Sequence, residues 1–514
     1  YKMVFLLAMI RHMDDNGRAS VQQISEDFRS FYADRKSQGL VPDKDADNRI
    51  LNALTSTAQD MLDVIMANPY QHIHDNGFID IDEQGGEKVF CFPQKLISQM
   101  TESDWAAVKQ LLIDKLKLYY SKIDNPLFDR EEDDMPTKEK LQIISQYIFA
   151  RGFSYENGLI ENFYLSLKSK PFVILAGTSG TGKTRLVKLF AEASGATSDN
   201  GRYKLVSVRP DWSDSSDLFG HLDLNGKFVP GAVIDFIKNA ENDLDNPYFL
   251  CLDEMNLARV EYYLSDFLSI IETRDFRKSR VVSDPLVDKS CYGADQDARE
   301  KYGDILLPEN LYIVGTVNMD ETTFPFSRKV LDRANTIEFS YVDLIPDISE
   351  QKPVIPSIEA GNGFLKTEYL LLTECLAQSE DRDFIGQVCA ELQSVNQILK
   401  EANAHVGYRV RDEIAFYMLN NQKAELLSYE EALDNQIMQK ILPRIQGSGS
   451  AVKRMLCELF KFCAGDYEGY QTENSDTASK MFQAAKDAKY PNSAEKIAFM
   501  VRRYEEDGFT SYWL

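Results

Sequence analysis

The sequence predicts an α/β chain in three parts: a mostly helical N-terminal region over residues 1–138, a strand-and-helix core over 139–344, and a helical region over 345–514. Two observations carry that prediction. Between Phe172 and Ala193 an apolar run, a glycine-rich loop and an amphipathic stretch follow one another, in the order strand, turn, helix. Four more short apolar runs, at 203–208, 248–252, 311–316 and 336–339, recur before residue 340, whereas helical spacing of apolar residues dominates outside the core.

Bulk composition narrows the function classes. A chain of 514 residues exceeds one ordinary core, and its 81 acidic against 57 basic side chains leave a formal charge of −24. Such a surface repels nucleic acid as a whole, so a DNA contact needs a local basic patch or a partner subunit. Cys91, Cys251, Cys291, Cys375, Cys389, Cys457 and Cys463 form no C-x-x-C pair and have no His pair nearby. That spacing argues against a zinc site and a disulfide framework and fits a reducing cytoplasm. No apolar run approaches the ~18 residues of a membrane span. The chain starts at Tyr1 rather than Met, which leaves room for residues upstream.

In the N-terminal region, residues 2–13, 20–37 and 48–67 carry apolar side chains at helical spacing, for example Ile24, Phe28, Phe31 and Tyr32. Alternating segments Phe78–Asp82 and Lys88–Phe92 then flank Gly85-Gly86 and read as a hairpin. Three helices followed by a hairpin are the order of a winged helix. Residues 1–150 nevertheless hold 25 acidic against 17 basic side chains, so docking to a protein stays open beside reading of DNA. His72 and His74 lack the third ligand a metal site wants and read as turn histidines. The charged run from Asp129 to Pro136 reads as a boundary loop, and helices over 141–150 and 159–167 lead into the core.

Within the core, Gly177-Thr178-Ser179-Gly180-Thr181-Gly182-Lys183-Thr184 fits G-x-x-x-x-G-K-[ST] between a strand and a helix opening at Arg185. In that context the backbone N–H groups and the positive helix end close around phosphate oxygens, and the Lys183 ammonium reaches the β- and γ-phosphates. The Thr184 hydroxyl can hold Mg²⁺. The next strand, Tyr203–Val208, precedes Asn225-Gly226, a hairpin signal between His221–Leu224 and Lys227–Val229 that inserts where a helix is expected. Tyr248–Leu252 ends in Asp253 and Glu254, which places Asp253 to support the metal and Glu254 to orient and deprotonate the attacking water.

The polar stretch 274–309 separates a helix over Glu261–Ile271 from the fourth strand and contains Arg274, Arg277, Lys278 and Arg280, a basic cluster suited to nucleic acid or an acidic partner. The fourth strand runs into Asn318, whose amide can hold the hydrolytic water together with Glu254. Arg333, just before the fifth strand, is placed at a domain edge where it could reach the γ-phosphate of a neighbouring copy, and Arg328 reads as a surface residue. Further on, Arg409 in Tyr408–Glu413 opens a helix and is placed to close on bound nucleotide, Leu433–Ile445 reads as a helix ended by Pro443, and the aromatic tail Gly508–Leu514 reads as packed.

Together these landmarks resemble the AAA+ superfamily, and within it the McrB-like branch near the MoxR and dynein-related group. The resemblance covers roughly residues 140–514 and rests on LKSKPFVILAGTSGTGKT, the inserted hairpin, FLCLDEMNLARVE, LPENLYIVGTVNMDETT with VLDRA, and GYRVRDEI with LDNQIMQKILPRI. It implies a five-stranded parallel core with a helical lid, Mg²⁺ and ATP or GTP as ligands, and a ring, usually a hexamer, with sites between subunits. It also implies a motor subunit of a restriction or antiviral system whose cutting is done by a separate nuclease. By the same resemblance Lys183, Thr184, Asp253, Glu254, Asn318, Arg333 and Arg409 take the corresponding roles. After Asn318 the chain reads Met319-Asp320-Glu321-Thr322 where the GTP-preferring prototype has MNTADRS, and residues 1–140 do not resemble its methylcytosine-reading domain. A MoxR-like protein remodeller and a nucleotide-gated scaffold remain the alternatives.

Overall fold

Strands covered on both faces by helices need no polar alternation, and five such runs organise the larger part of the chain. The computed structural model describes residues 1–43, 46–124, 135–277, 280–319, 324–339, 354–376, 379–465 and 477–513. They divide into two units, Tyr1–Met135 with Ser349–Pro356, and Pro136–Ile348 with Ser357–Leu514. The charged boundary loop at 129–134 lies outside the described residues.

In the first unit the helix Lys2–His12 is followed by β1 (Arg18–Ser20), the helix Val21–Ser37, further helices, and the hairpin of β2 (Asp80–Gln84) and β3 (Glu87–Cys91). The strands pair antiparallel in the order β1-β3-β2. β1 is too short to show in a periodicity scan. The single helix expected over 48–67 is two, Asn48–Leu51 and Ala58–Ile65, because Thr57 and Asp60 form a capping box that starts the second afresh. Phe5, Ile24, Phe28, Ile65 and Phe90 are fully buried in this core. His74 sits at the surface with Nε2 3.1 Å from Asp80 Oδ1.

The second unit is built on β4 (Phe172–Gly177), β5 (Tyr203–Ser207), the inserted hairpin of β6 (Gly220–Leu222) and β7 (Phe228–Pro230), and β8 (Tyr248–Asp253). It continues with a hairpin of β9 (Asp275–Arg277) and β10 (Arg280–Val282), then β11 (Leu311–Asn318) and β12 (Asn335–Glu338). The five core strands are parallel, in the order β12-β4-β11-β8-β5. The polar stretch 274–309 thus contains β9, β10 and the helix Gln296–Tyr302, whose Tyr302 packs with Tyr292 against Phe228 of the inserted hairpin. The expected helix Glu261–Ile271 is broken at Leu264 into Val260–Tyr263 and Ser265–Ile270.

Beyond residue 372 the unit is helical, with Ser379–Lys400, Tyr408–Ala424, Tyr429–Gln436, Ser450–Ala464, Thr477–Ala485 and Pro491–Asp507 as its main helices. The tail packs as expected: Tyr512 is fully buried and Trp513 donates its indole N–H to the Pro443 carbonyl.

Lid and sheet are joined by buried charge. Glu413 accepts from Lys440 Nζ at 2.5 Å and pairs with Lys170 Nζ at 2.8 Å, and Lys440 also donates to the Ala334 carbonyl just ahead of β12. Burial alone would raise the Glu413 pKa, but the two ammonium groups hold it down at about 2. Glu413→Gln would leave Lys440 buried without a counter-charge and Lys170 with Glu272 alone, and we expect it to lower the unfolding free energy of this unit by about 3–5 kcal/mol in urea titrations. With a folded pKa below its ordinary 4.5, Glu413 contributes fully above pH 4.5, and the contribution is lost as pH falls towards 2. The wild-type midpoint should therefore fall more steeply across that window than the variant's.

Candidate functional site

The phosphate loop leaves β4 at Gly177 and enters the helix Lys183–Ala193 at Gly182, which caps it in the left-handed region at φ 88°. A side chain at Gly182 would be strained there and would also meet Tyr155, whose hydroxyl donates to the Gly182 carbonyl at 3.1 Å. Lys183 is buried, with its ammonium 3.1 Å from the Gly177 carbonyl and 2.6 Å from that of Thr178, and Thr181 donates to the Thr178 carbonyl at 2.9 Å. Ser179, Gly180, Gly182, Lys183, Thr184 and Arg185 line a cleft of about 510 Å³ whose opposite wall is Asp253, Glu254, Thr316 and Asn318.

Sheet order makes that wall. β11 lies between β4 and β8, with Asn318 level with Gly177 and Gly315 level with Leu252. Residues at the C-terminal end of β11 therefore stand between the loop and the two carboxylates. Asn318 Nδ2 donates to Glu254 Oε1 at 3.2 Å, and the Glu254 N–H donates to Thr316 Oγ1 at 3.1 Å. Thr316 in turn donates to Asp253 Oδ1 at 2.7 Å, and Thr184 donates to the same oxygen at 2.7 Å. One unbroken line of hydrogen bonds thus runs from Asn318 to the phosphate loop.

Glu254 itself has left-handed backbone angles, φ 52° and ψ 47°, which cost a residue with a Cβ of order 1–2 kcal/mol and persist only where neighbours enforce them. Two neighbours on β11 do so. Thr316 holds the Glu254 N–H, and Gly315 leaves room for the next residue: a Cβ there would lie 1.9 Å from Met255 Sδ. Sequence reasoning passed over both. The signal was the G-T-x-N spacing that ends β11, legible only once β11 is known to adjoin β8.

The two expected arginines are not in the cleft. Arg333 precedes β12, whose Asn335 is level with Val173, whereas the phosphate loop leaves β4 at Gly177. Six strand residues at ~3.3 Å each put Arg333 about 20 Å from its own loop, at the other end of the sheet. Arg409, expected to close on nucleotide, lies away from its own phosphate loop. Its Nη2 lies 2.6 Å from Glu272 Oε2, and Arg333 Nε lies 3.6 Å from Oε1 of the same residue. The reason is the Glu413 pairing one turn further along the helix, which docks this end of the lid on Lys170 ahead of β4. Of the basic cluster, Arg274 turns inward with a buried Nε, and Arg277 and Arg280 are exposed.

Thr184 and Asp253 offer hard oxygen donors 2.7 Å apart, beside a lysine that carries phosphate charge in such loops, and the set fits Mg²⁺. A second cavity, of about 610 Å³, lies on the other side of the loop, between Thr178, β12 and the lid helices. The Thr336 hydroxyl on its wall is buried and has no hydrogen-bond partner among the described residues.

The family described as AAA domain (dynein-related subfamily) matches residues 172–333, and one described as a domain of unknown function, DUF8727, matches 357–509. Among solved structures the chain is similar to a candidate ATPase from Cytophaga hutchinsonii at 14% identity and a TM-score of 0.37, over 65% of this chain and 90% of that one. NtrX from Brucella abortus matches at 14% identity and a TM-score of 0.21, over 63% and 56%. No curated protein matches the sequence. The matched family is the dynein-related group as a whole rather than the McrB-like branch within it. The chain thus contains an AAA+ ATPase domain of the dynein-related subfamily, followed by a helical region with a family of its own.

Proposed function

We propose that the protein is an Mg²⁺-dependent nucleoside triphosphatase that works as a ring of copies. The observation that carries this reading is the division of the machinery between the two ends of the sheet. Phosphate loop, carboxylates and Asn318 stand at one end, and Arg333 with Arg409 stands about 20 Å away at the other. In a head-to-tail ring the arginines of one copy would meet the γ-phosphate of the next, which completes a site that neither copy holds alone.

In that site Lys183 and the loop N–H groups bind the β- and γ-phosphates, and Thr184 and Asp253 would hold Mg²⁺, which would supply positive charge against the phosphates. Glu254 takes the proton of the attacking water, and Asn318, donating to Glu254 Oε1, keeps the carboxylate turned towards it. The nucleoside would occupy the cavity beside Thr178, with the free Thr336 hydroxyl offered to it. The nucleotide is ATP or GTP.

For the cellular role we propose a motor subunit of a McrBC-like restriction or antiviral system, with a separate nuclease and with DNA reached directly or through a partner. The support is a pair of like charges: Arg277 and Arg280 face each other across β9 and β10, an arrangement that destabilises a hairpin unless an anion offsets it. A remodeller of polypeptides has an observation of its own, the fully exposed Leu224 at the tip of the β6–β7 hairpin, flanked by exposed Leu222 and Val229. Binding of duplex DNA that weakens steeply with salt and is lost in Arg277→Ala/Arg280→Ala selects the first; salt-independent capture of an unfolded polypeptide selects the second.

Steady-state hydrolysis of ATP and GTP over a range of protein concentrations tests the enzyme itself. We expect turnover steeper than linear in concentration, a loss of ~10²–10⁴-fold in Glu254→Gln and of ~10³-fold or more in Arg333→Ala. Linear turnover that survives Arg333→Ala would refute the shared site. Thr316→Val, which keeps the shape but removes the donor to Asp253 and the acceptor for the Glu254 N–H, should lower kcat about tenfold or more with little change in KM. Thr316→Ser should restore most of it.

A further inference from the structure

Glu272 gathers three cations from three separate parts of the fold. It sits in the single turn Ile271–Thr273 that ends the helical stretch after β8. Arg409 comes to it from the first turn of the lid helix at 2.6 Å, Lys170 from the residue pair ahead of β4 at 3.3 Å, and Arg333 from the segment ahead of β12 at 3.6 Å. Arg333 has one other hold, the Lys329 carbonyl at 2.8 Å from Nη1. Among the described residues no other carboxylate pairs with Arg333 or Arg409.

The charge balance says what this arrangement is for. Glu413, 2.8 Å from Lys170, is shared with buried Lys440, so the two carboxylates Glu413 and Glu272 face four cations, Lys170, Lys440, Arg333 and Arg409. Arg333 and Arg409 have only Glu272 between them and share it with Lys170, which leaves positive charge in excess and spare guanidinium N–H groups at this carboxylate. Two guanidinium groups this close repel unless a carboxylate lies between them. With it, they form one prearranged anion receptor, and Glu272 fixes its geometry from a helix of the core while the lid supplies half of it.

We infer that Glu272 is the positioning residue that holds Arg333 and Arg409 together as a single receptor for the triphosphate of a second copy of this chain. The inference rests on the shared-site reading above and adds its organising residue. Glu272 touches no substrate; it acts through the two arginines, and so it serves the site of the neighbouring copy and not the site of its own chain.

Glu272→Gln keeps the side chain's shape and removes its charge, and subunit mixing reads its role directly. Mant-ATP binding by the variant should match wild type within about twofold, because its own phosphate loop is untouched, while kcat falls on the order of 100-fold from misplaced arginines. Glu272→Asp should recover part of kcat. The Lys183→Ala chain, by contrast, lacks a working loop but keeps its arginines. Mixed in equal amounts, the Glu272→Gln and Lys183→Ala chains should turn over well above the sum of the two alone, since the first brings good loops and the second good arginines. That recovery also shows that the Glu272→Gln chain is folded. Wild-type kcat in Glu272→Gln overturns the inference alone. So does a mixture as inactive as its parts when wild type mixed with Lys183→Ala stays active. A wild-type chain with no turnover at any concentration overturns the hydrolase reading and this inference with it.

Discussion

The placement of β11 between β4 and β8 is the constraint on which the site depends. A phosphate loop and an acidic strand end are each local features, and each could exist without the other. Their separation across the intervening strand is fixed by the ~4.8 Å spacing of hydrogen-bonded neighbours, which leaves room for one layer of side chains between them. β11 fills that layer with Thr316 and Asn318, and everything the site does passes through those two residues or over them. Burial supports the arrangement: β11 is buried from Leu311 to Asn318, so it cannot slide without exposing its apolar run or bringing a side chain against Met255 where Gly315 leaves room.

Much of this was legible in the sequence because the chemistry is written in contiguous residues. The loop from Gly177 to Thr184, the Asp253-Glu254 pair and the five core strands follow from local pattern, since a buried parallel strand is apolar throughout and a phosphate loop needs its glycines in a row. Strand order is a different kind of information. Nothing local tells that the fourth strand of the core lies between the first and the third, and so Thr316 stayed hidden in plain view two residues before Asn318.

Polar stretches misled for the opposite reason. Residues 274–309 lack long apolar runs, yet they hold β9, β10 and a helix, because Tyr292, Ala298 and Tyr302 need only one small apolar face to pack on Phe228. Charged residues misled most. Lys170, Glu413 and Lys440 are almost fully buried, and composition alone places such side chains in solvent. Their mutual pairing offsets the cost of taking them out of water, and it carries Arg409 to the end of the sheet where a scan of its helix could not have put it.

If the site is shared between copies as proposed, the position of Arg333 bears on how damage to this gene would be inherited. A copy altered at the loop would then fail at its own site, and a copy altered near Arg333 would fail at its neighbour's. In a cell that makes both altered and intact chains, an arginine-defective copy would remove activity from intact partners while keeping a sound loop of its own. In such a ring, selection at one end of the sheet would be felt by the residues at the other, although the two ends never meet within a single chain.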